Sequence, residues 1–177
     1  MGVAPPYRIE TGRVVIRCYE PEDAPLLKTA VDASLDHLRP WMPWAADYSR
    51  ASAQEYLAGS VKGWDEGTEY NYAILTGDAL AGGIGLMTRC GPGGLEIGYW
   101  VHRAYVGRGL ATAAAAALVE QAFGLPGVDW VEIVHDELNV ASGKIPRKLG
   151  FTEVERRPLD PPALAGTGTG VVWRLVR

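Results

Sequence analysis

Two rhythms of apolar residues divide the chain. Arg13 to Tyr19 (RVVIRCY) is a β-branched run that predicts a strand. Pro21 then opens a helical stretch to about Ser34, with Glu22 and Asp23 in the first turn, where acidic groups favour the helix dipole. His37 to Trp44 (HLRPWMPW) carries two prolines and two tryptophans and predicts an irregular segment with large anchors. Ser49 to Asp65 returns to helical spacing, with Ser52 as a cap and Glu55 three residues on. From Glu69 the period falls to two: YNYAIL, ALAGGIGLMTR and LEIGYWV read as strands separated by glycine turns. Tyr105 to Phe123 is a loop followed by a helix, stopped by Gly124-Leu-Pro-Gly. DWVEIVH is another strand, Asn139 to Leu149 a short helix, and FTEVERR and VVWRLVR the last two strands. Between those two, Pro158 to Gly170 is long for a hairpin and predicts either a mobile flap over a site or a loose connection. The order βααβββαβαββ implies an α+β protein, a mostly antiparallel central sheet of about seven strands flanked by helices.

Composition narrows the class without deciding the function. At 177 residues the chain has the length of a single domain, expected over 1–177. Its hydrophobic fraction of 47% and charged fraction of 21% favour neither disorder nor a membrane protein. A formal charge of −4 gives no global positive field for nucleic acid, so an anionic ligand needs a local site. Two cysteines, Cys18 and Cys90, are too few for a disulfide-stapled scaffold, and no signal peptide or membrane span is legible, so a cytoplasmic protein is expected. Gly2 lacks the Ser or Thr that a myristoylation signal needs. A homodimer is the prior for such a chain.

The chemistry begins at YVGRGLATAAAAALVEQAF. Gly107 and Gly109 stand between a strand and a helix, where the backbone turns and leaves its amides uncovered. Uncovered amides at a helix start attract anions, and Arg108 adds a charge; a plain glycine turn before a packed helix fits the spacing equally well. The alanines at 111 and 113–117 let that helix lie close to a sheet. No Walker A string is present. The Rossmann fingerprint fails because Thr112 stands at its third small position and no acidic residue follows at the required distance.

Taken together, LEIGYWV, the loop V-G-R-G-L-A and the later N-V-A-S-G-K-I-P-R-K-L-G-F resemble the GNAT superfamily of N-acyltransferases, closest to its RimJ/RimL-like branch. The resemblance runs from VVIRCYEPEDA through SLDHLRPWMPW to Gly150-Phe151 and implies the GNAT, or acyl-CoA N-acyltransferase, fold. In that family a Q/R-x-x-G-x-G/A loop wraps the pyrophosphate of acetyl-CoA. Here Val106 replaces the leading residue, while Gly109 and Ala111 match. By this resemblance, main-chain groups of Trp100, Val101 and His102 pair with the pantetheine arm as an added strand. Amides of Gly107, Arg108, Gly109, Leu110, Ala111 and Thr112 hold the phosphates, and Asn139 joins the cofactor site, although its position also suits a plain N-cap.

The implied activity is transfer of an acetyl or other short acyl group from acyl-CoA to a primary amine, a protein N-terminus or a small molecule. An amine with a reference pKa of roughly 10.4 must lose a proton first. Alternation puts Glu96, Gly98 and Trp100 on one face of LEIGYWV, and Glu96 matches a glutamate of the branch's E-I-G-Y segment, so it is the candidate base, directly or through water. A solvated strand glutamate would leave the same pattern. The tyrosine that many relatives use as acid falls at Pro146 here, and Ser142, one turn earlier, is the candidate replacement. Pro146 also removes the N–H that would bond the Ser142 carbonyl.

His37, Trp41, Trp44, Tyr48 and Trp64 are candidates to shape the acceptor pocket; Arg39 or Arg89 would suit a succinyl carboxylate. Neither His102 nor His135 has metal-ligand spacing with other groups, so no metal is expected. Neither cysteine has the surroundings of an activated nucleophile, so transfer is expected to be direct. A non-catalytic acyl-CoA-binding module is the alternative from another class.

Overall fold

The computed structural model describes residues 3–177 as one eight-stranded sheet with helices on both faces. The strands are β1 (Arg8–Glu10), β2 (Val15–Cys18), β3 (Glu69–Thr76), β4 (Ala79–Met87), β5 (Gly94–Val101), β6 (Trp130–Asp136), β7 (Thr152–Pro158) and β8 (Thr169–Val176). Their spatial order is β1-β2-β3-β4-β5-β6-β8-β7, antiparallel except at the β5–β6 junction. The seven expected strands are present, and β1 is additional: three residues are too few to show a period.

The helices are α1 (Ala24–Asp32), α2 (Leu35–Leu38), α3 (Arg50–Glu66), α4 (Leu110–Gly124) and α5 (Val140–Lys148). The stretch read as one helix from Pro21 to Ser34 divides into a 3-10 turn (Pro21–Asp23) and α1. The segment read as irregular holds α2 and a 3-10 turn at Pro43–Ala45, which the prolines concealed. The α3 cap also lies earlier than expected. Ser49 accepts from the Ser52 N–H at 3.2 Å and donates its own N–H to the Ser52 hydroxyl at 3.1 Å, so Ser52 takes the third-turn-residue part of a capping box.

Two cores follow from the two faces. On one, the alanine-rich face of α4, with Ala114, Ala115 and Leu118 fully buried, lies against Ile16, Tyr72, Ile84, Ile97 and Ile133. Small side chains bring this helix close to the sheet, while Leu118 alone contributes about 2 kcal/mol of burial. On the other, Leu27 and Val31 of α1 and Leu57 of α3 pack on Ala73, Leu80 and Trp100. Trp64 is a core anchor, stacked on Tyr7, edge-on to Tyr70 and Tyr72, and donating its indole N–H to the Asn71 carbonyl at 3.2 Å.

The β7–β8 connection is fastened, neither flap nor loose loop. The buried Asp136 carboxylate accepts from the N–H groups of Leu138, Thr167 and Gly168 at 3.0, 3.3 and 3.1 Å. The Ala165 N–H reaches the Pro40 carbonyl at 2.9 Å, bracing the segment before the Pro43 turn. No helix among the described residues is long and apolar enough to cross a membrane.

Candidate active site

The sheet opens at the parallel β5–β6 junction, the only one among the described residues. Pairing of β5 with β6 covers Gly94↔Trp130 to Ile97↔Ile133 and then stops, although both strands continue. On its other edge β5 stays paired with β4 as far as Val101, and His102 donates its N–H to the Ala81 carbonyl at 2.8 Å. Strand alternation therefore directs the main-chain groups of Trp100 and His102 towards β4, and those of Tyr99 and Val101 to the open edge. This corrects the expected stretch of free main chain. The His102 amide is occupied by the sheet, and its Nδ1 accepts from the Ala104 N–H at 3.0 Å.

The open edge leads to the glycine loop. Gly107 and Gly109 have φ of 74° and 75°, the left-handed region that disfavours other residues. A Cβ on Gly109 would stand 3.1 Å from Arg13 Nη1, which also donates to the Arg108 carbonyl at 3.3 Å. The residues before and within the first turn of α4, whose amides lack helical partners, line a cavity of about 360 Å³. Trp100, Val101, Gly107, Gly109, Leu110, Ala111, Thr112, Asn139 and Ser142 all line it. The Arg108 side chain does not; its guanidinium lies over the Tyr105 ring at 5.1 Å. Lys144 and Lys148 supply cations instead, a pair the sequence reading passed over although their four-residue spacing puts both on one helix face.

At the head of this cavity Asn139 caps α5, accepting from the Ser142 N–H at 3.2 Å. Pro146 lies inside α5, and the Ser142 carbonyl that it leaves without a helical partner accepts from the Tyr99 hydroxyl at 3.0 Å. The Tyr99 and Ser142 hydroxyls are themselves 3.1 Å apart. Burial pushes the Tyr99 phenol up to about 12, against the opposing pull of the Ser142 bond, so it stays protonated at neutral pH. Tyr99 is a third residue, after Lys144 and Lys148, that sequence reasoning missed.

A second cavity, of about 410 Å³, adjoins the first, and Met42, Tyr99 and Trp100 line both. Glu96, Trp44, Tyr48 and Arg89 line this acceptor-side cavity. His37 and Trp41 line the first cavity, and their expected place in the acceptor pocket is corrected accordingly. Trp64 and Arg39 line neither; the Arg39 Nε donates to the Ala45 carbonyl at 3.3 Å. Around Glu96, burial raises the carboxyl pKa. Arg89 at 3.8 Å and Arg157 at 3.9 Å oppose that rise, and Glu132 in the adjacent strand adds to it. Burial, reinforced by Glu132, pushes the nearby Cys90 thiol up to about 12, so it is held as a thiol and not as a nucleophilic thiolate. Among the described residues no group of three His, Cys, Asp or Glu side chains is placed to hold a metal ion.

An opened parallel pair, an amide cradle at a helix start and an adjoining carboxylate-bearing cavity define the fold class of acyl-CoA-dependent acetyltransferases. The chain belongs to the acetyltransferase (GNAT) domain family, which it matches over residues 13–152. It is 30% identical over 150 residues to the candidate ribosomal N-acetyltransferase YdaF of Bacillus subtilis (strain 168), covering 79% of this chain and 78% of that protein. Its fold is that of RimL, the ribosomal L7/L12 alpha-N-protein acetyltransferase solved with coenzyme A. That match has a TM-score of 0.87 at 17% identity, over 96% of this chain and 97% of that one. The microcin C7 self-immunity acetyltransferase MccE, solved with acetyl-CoA and AMP, gives a TM-score of 0.87 at 15% identity over 94% of each chain.

Proposed function

We propose that the chain is a single-domain N-acyltransferase that moves an acetyl group, or another short acyl group, from acyl-CoA to a primary amine by direct transfer in the cytoplasm. The observation that carries this reading is the adjacency of two cavities that share Met42, Tyr99 and Trp100 in their linings. The edge of Tyr99 and Val101 would receive the pantetheine arm, and the amides from Gly107 to Thr112, with Lys144 and Lys148, the phosphates. Acyl-CoA supplies the acyl group as an activated thioester.

Glu96 accepts a proton from the amine, directly or through one water. The amine nitrogen then forms a bond to the acyl carbon as the carbon–sulfur bond breaks. Ser142 Oγ returns a proton to the departing sulfur and is resupplied through the Tyr99 hydroxyl, 3.1 Å away, and solvent. The raised Cys90 thiol supports transfer without an acyl-cysteine. YdaF, named as a candidate ribosomal N-acetyltransferase, favours a protein N-terminus as acceptor; the cavity of about 410 Å³ beside Glu96 favours a small amine.

Thermal-shift titration with acetyl-CoA, free CoA and NAD, followed by thiol release with an amine panel, tests the reading. Acetyl-CoA at about 100 times its dissociation constant should add about 2.7 kcal/mol of stability, with no NAD response. A CoA shift without thiol release from any amine would instead identify a non-catalytic acyl-CoA-binding module.

The Tyr99–Ser142 contact has its own test. Tyr99→Phe is expected to lower kcat about 10-fold with little change in the KM for acetyl-CoA. Pro146→Ala restores an N–H four residues after Ser142, which competes for its carbonyl, and should produce a smaller fall. Unchanged kcat in both variants would remove Tyr99 from the mechanism.

A further inference from the structure

The acceptor-side cavity has a floor whose chemistry is set by strand register. Three rows cross β3, β4 and β5 on one face: Glu69↔Met87↔Glu96, Asn71↔Gly85↔Gly98 and Ala73↔Gly83↔Trp100. The last row ends at Trp100, where the cofactor-side cavity begins. The first row places a carboxylate at each end. The middle row is almost bare backbone, since two of its three residues are glycine.

Asn71 is the one residue of that middle row with a side chain. It is 6% exposed, and its Nδ2 donates to Ser60 Oγ at 3.3 Å and Glu69 Oε2 at 3.2 Å. Those two bonds fix the amide orientation and bring Oδ1 over Gly85, where an added Cβ would be only 2.3 Å away. Among the described residues Asn71 Oδ1 has no hydrogen-bond partner, and the residue lines the cavity. Glu69 has no salt-bridge partner among the described residues either, in contrast to Glu96 with its two arginines. The floor thus carries two adjacent acceptors on β3, Asn71 Oδ1 and the Glu69 carboxylate, which accepts from Asn71 Nδ2 through Oε2. Asn71 Oδ1 and the Glu69 carboxylate can each accept a hydrogen bond from a ligand donor in the cavity that both line. Above the floor, Leu27, Val31, Trp44, Tyr48 and Tyr56 form an apolar and aromatic wall.

We infer that the acceptor is a diamine: a primary amine that reacts beside Gly98, joined by an apolar spacer to a second cationic amine held by Glu69 and Asn71. This rests on the acyltransferase reading and adds the substrate class. The aromatic wall covers the spacer and attracts ammonium groups through ring faces. From Gly98 the Glu69 position is two strands across and one row along, roughly 10–12 Å between Cα atoms. Side-chain reach shortens this to a spacer of about six methylenes. A peptide α-amine carries amide groups where the wall is apolar and lacks the second cation.

The experiment compares hexamethylenediamine, hexylamine and a serine-initiated tripeptide amide as acceptors. Each is measured both by kcat/KM and by calorimetric binding to the CoA-loaded protein. The diamine is expected to exceed hexylamine at least about 10-fold, and Glu69→Gln to reduce that ratio to within about two-fold. Glu69→Asp keeps the charge but withdraws it by one methylene, so the preferred diamine should lengthen by one or two methylenes. Hexylamine equal to the diamine, preference for the peptide, or a ratio unchanged in both variants would overturn the inference. Diamine binding that depends on Glu69, without thiol release, would uphold this site while the acyltransferase reading fails.

Discussion

Gly109→Val is expected to weaken acetyl-CoA binding by about 100-fold or more in a protein that still folds. Two effects act together. The residue has a φ of 75°, and a β-branched side chain in the left-handed region costs more than the about 1–2 kcal/mol typical of other residues. Its Cβ would also press on Arg13 Nη1, 3.1 Å from the ideal position. The loop escapes both by rotating its amides away from the cavity, and two charge-assisted bonds to phosphate, each about 1.5–3 kcal/mol, are lost with that rotation. Calorimetric titration measures the loss, and a melting curve separates it from unfolding. Affinity unchanged in a folded variant would reduce the glycine loop to an ordinary turn.

Glu96→Gln should reduce kcat by about 10²- to 10⁴-fold while acetyl-CoA affinity stays near its original value. The pH profile gives the sharper reading. A base works only when deprotonated, so kcat should rise with pH through the Glu96 pKa, which burial holds above the ordinary glutamate value. Arg157 lowers that pKa from 3.9 Å and lies outside the acceptor cavity lining, so Arg157→Gln should move the rising limb to higher pH. Glu132 raises it, so Glu132→Gln should move the limb the other way. A limb that stays in place in both variants, or persists in Glu96→Gln, would assign the proton to another group.

Much of this arrangement is legible in the sequence alone, and what is not legible there has physical causes. Period-two alternation was enough to put Glu96, Gly98 and Trp100 on one face, because side-chain direction in a strand is a local property. The Ser142 carbonyl freed by Pro146 was likewise legible, since the lost bond is fixed by the helix repeat. Its acceptance of the Tyr99 hydroxyl was not, because that contact joins residues 43 apart in sequence. Sequence alone gives no reason to divide the aromatic segment from His37 to Trp44, yet it splits between two pockets. Turns at Pro40 and Pro43 redirect the chain between Trp41 and Trp44, and turn direction is set by tertiary packing such as the bond from Ala165 to Pro40. Glu69 escaped notice because nothing local tells which of many surface carboxylates a three-strand register will align with Glu96.

The interrupted pairing of β5 and β6 also bears on how the molecule coheres. In main-chain terms the sheet is two blocks, β1 to β5 and β6-β8-β7, stitched by four residue pairs. An extended ligand arm lying along Tyr99 and Val101 would continue the seam where the protein's own stitching ends. The donor substrate would then act as a removable extension of the sheet, lengthening the join between its halves beyond those four pairs whenever it is bound.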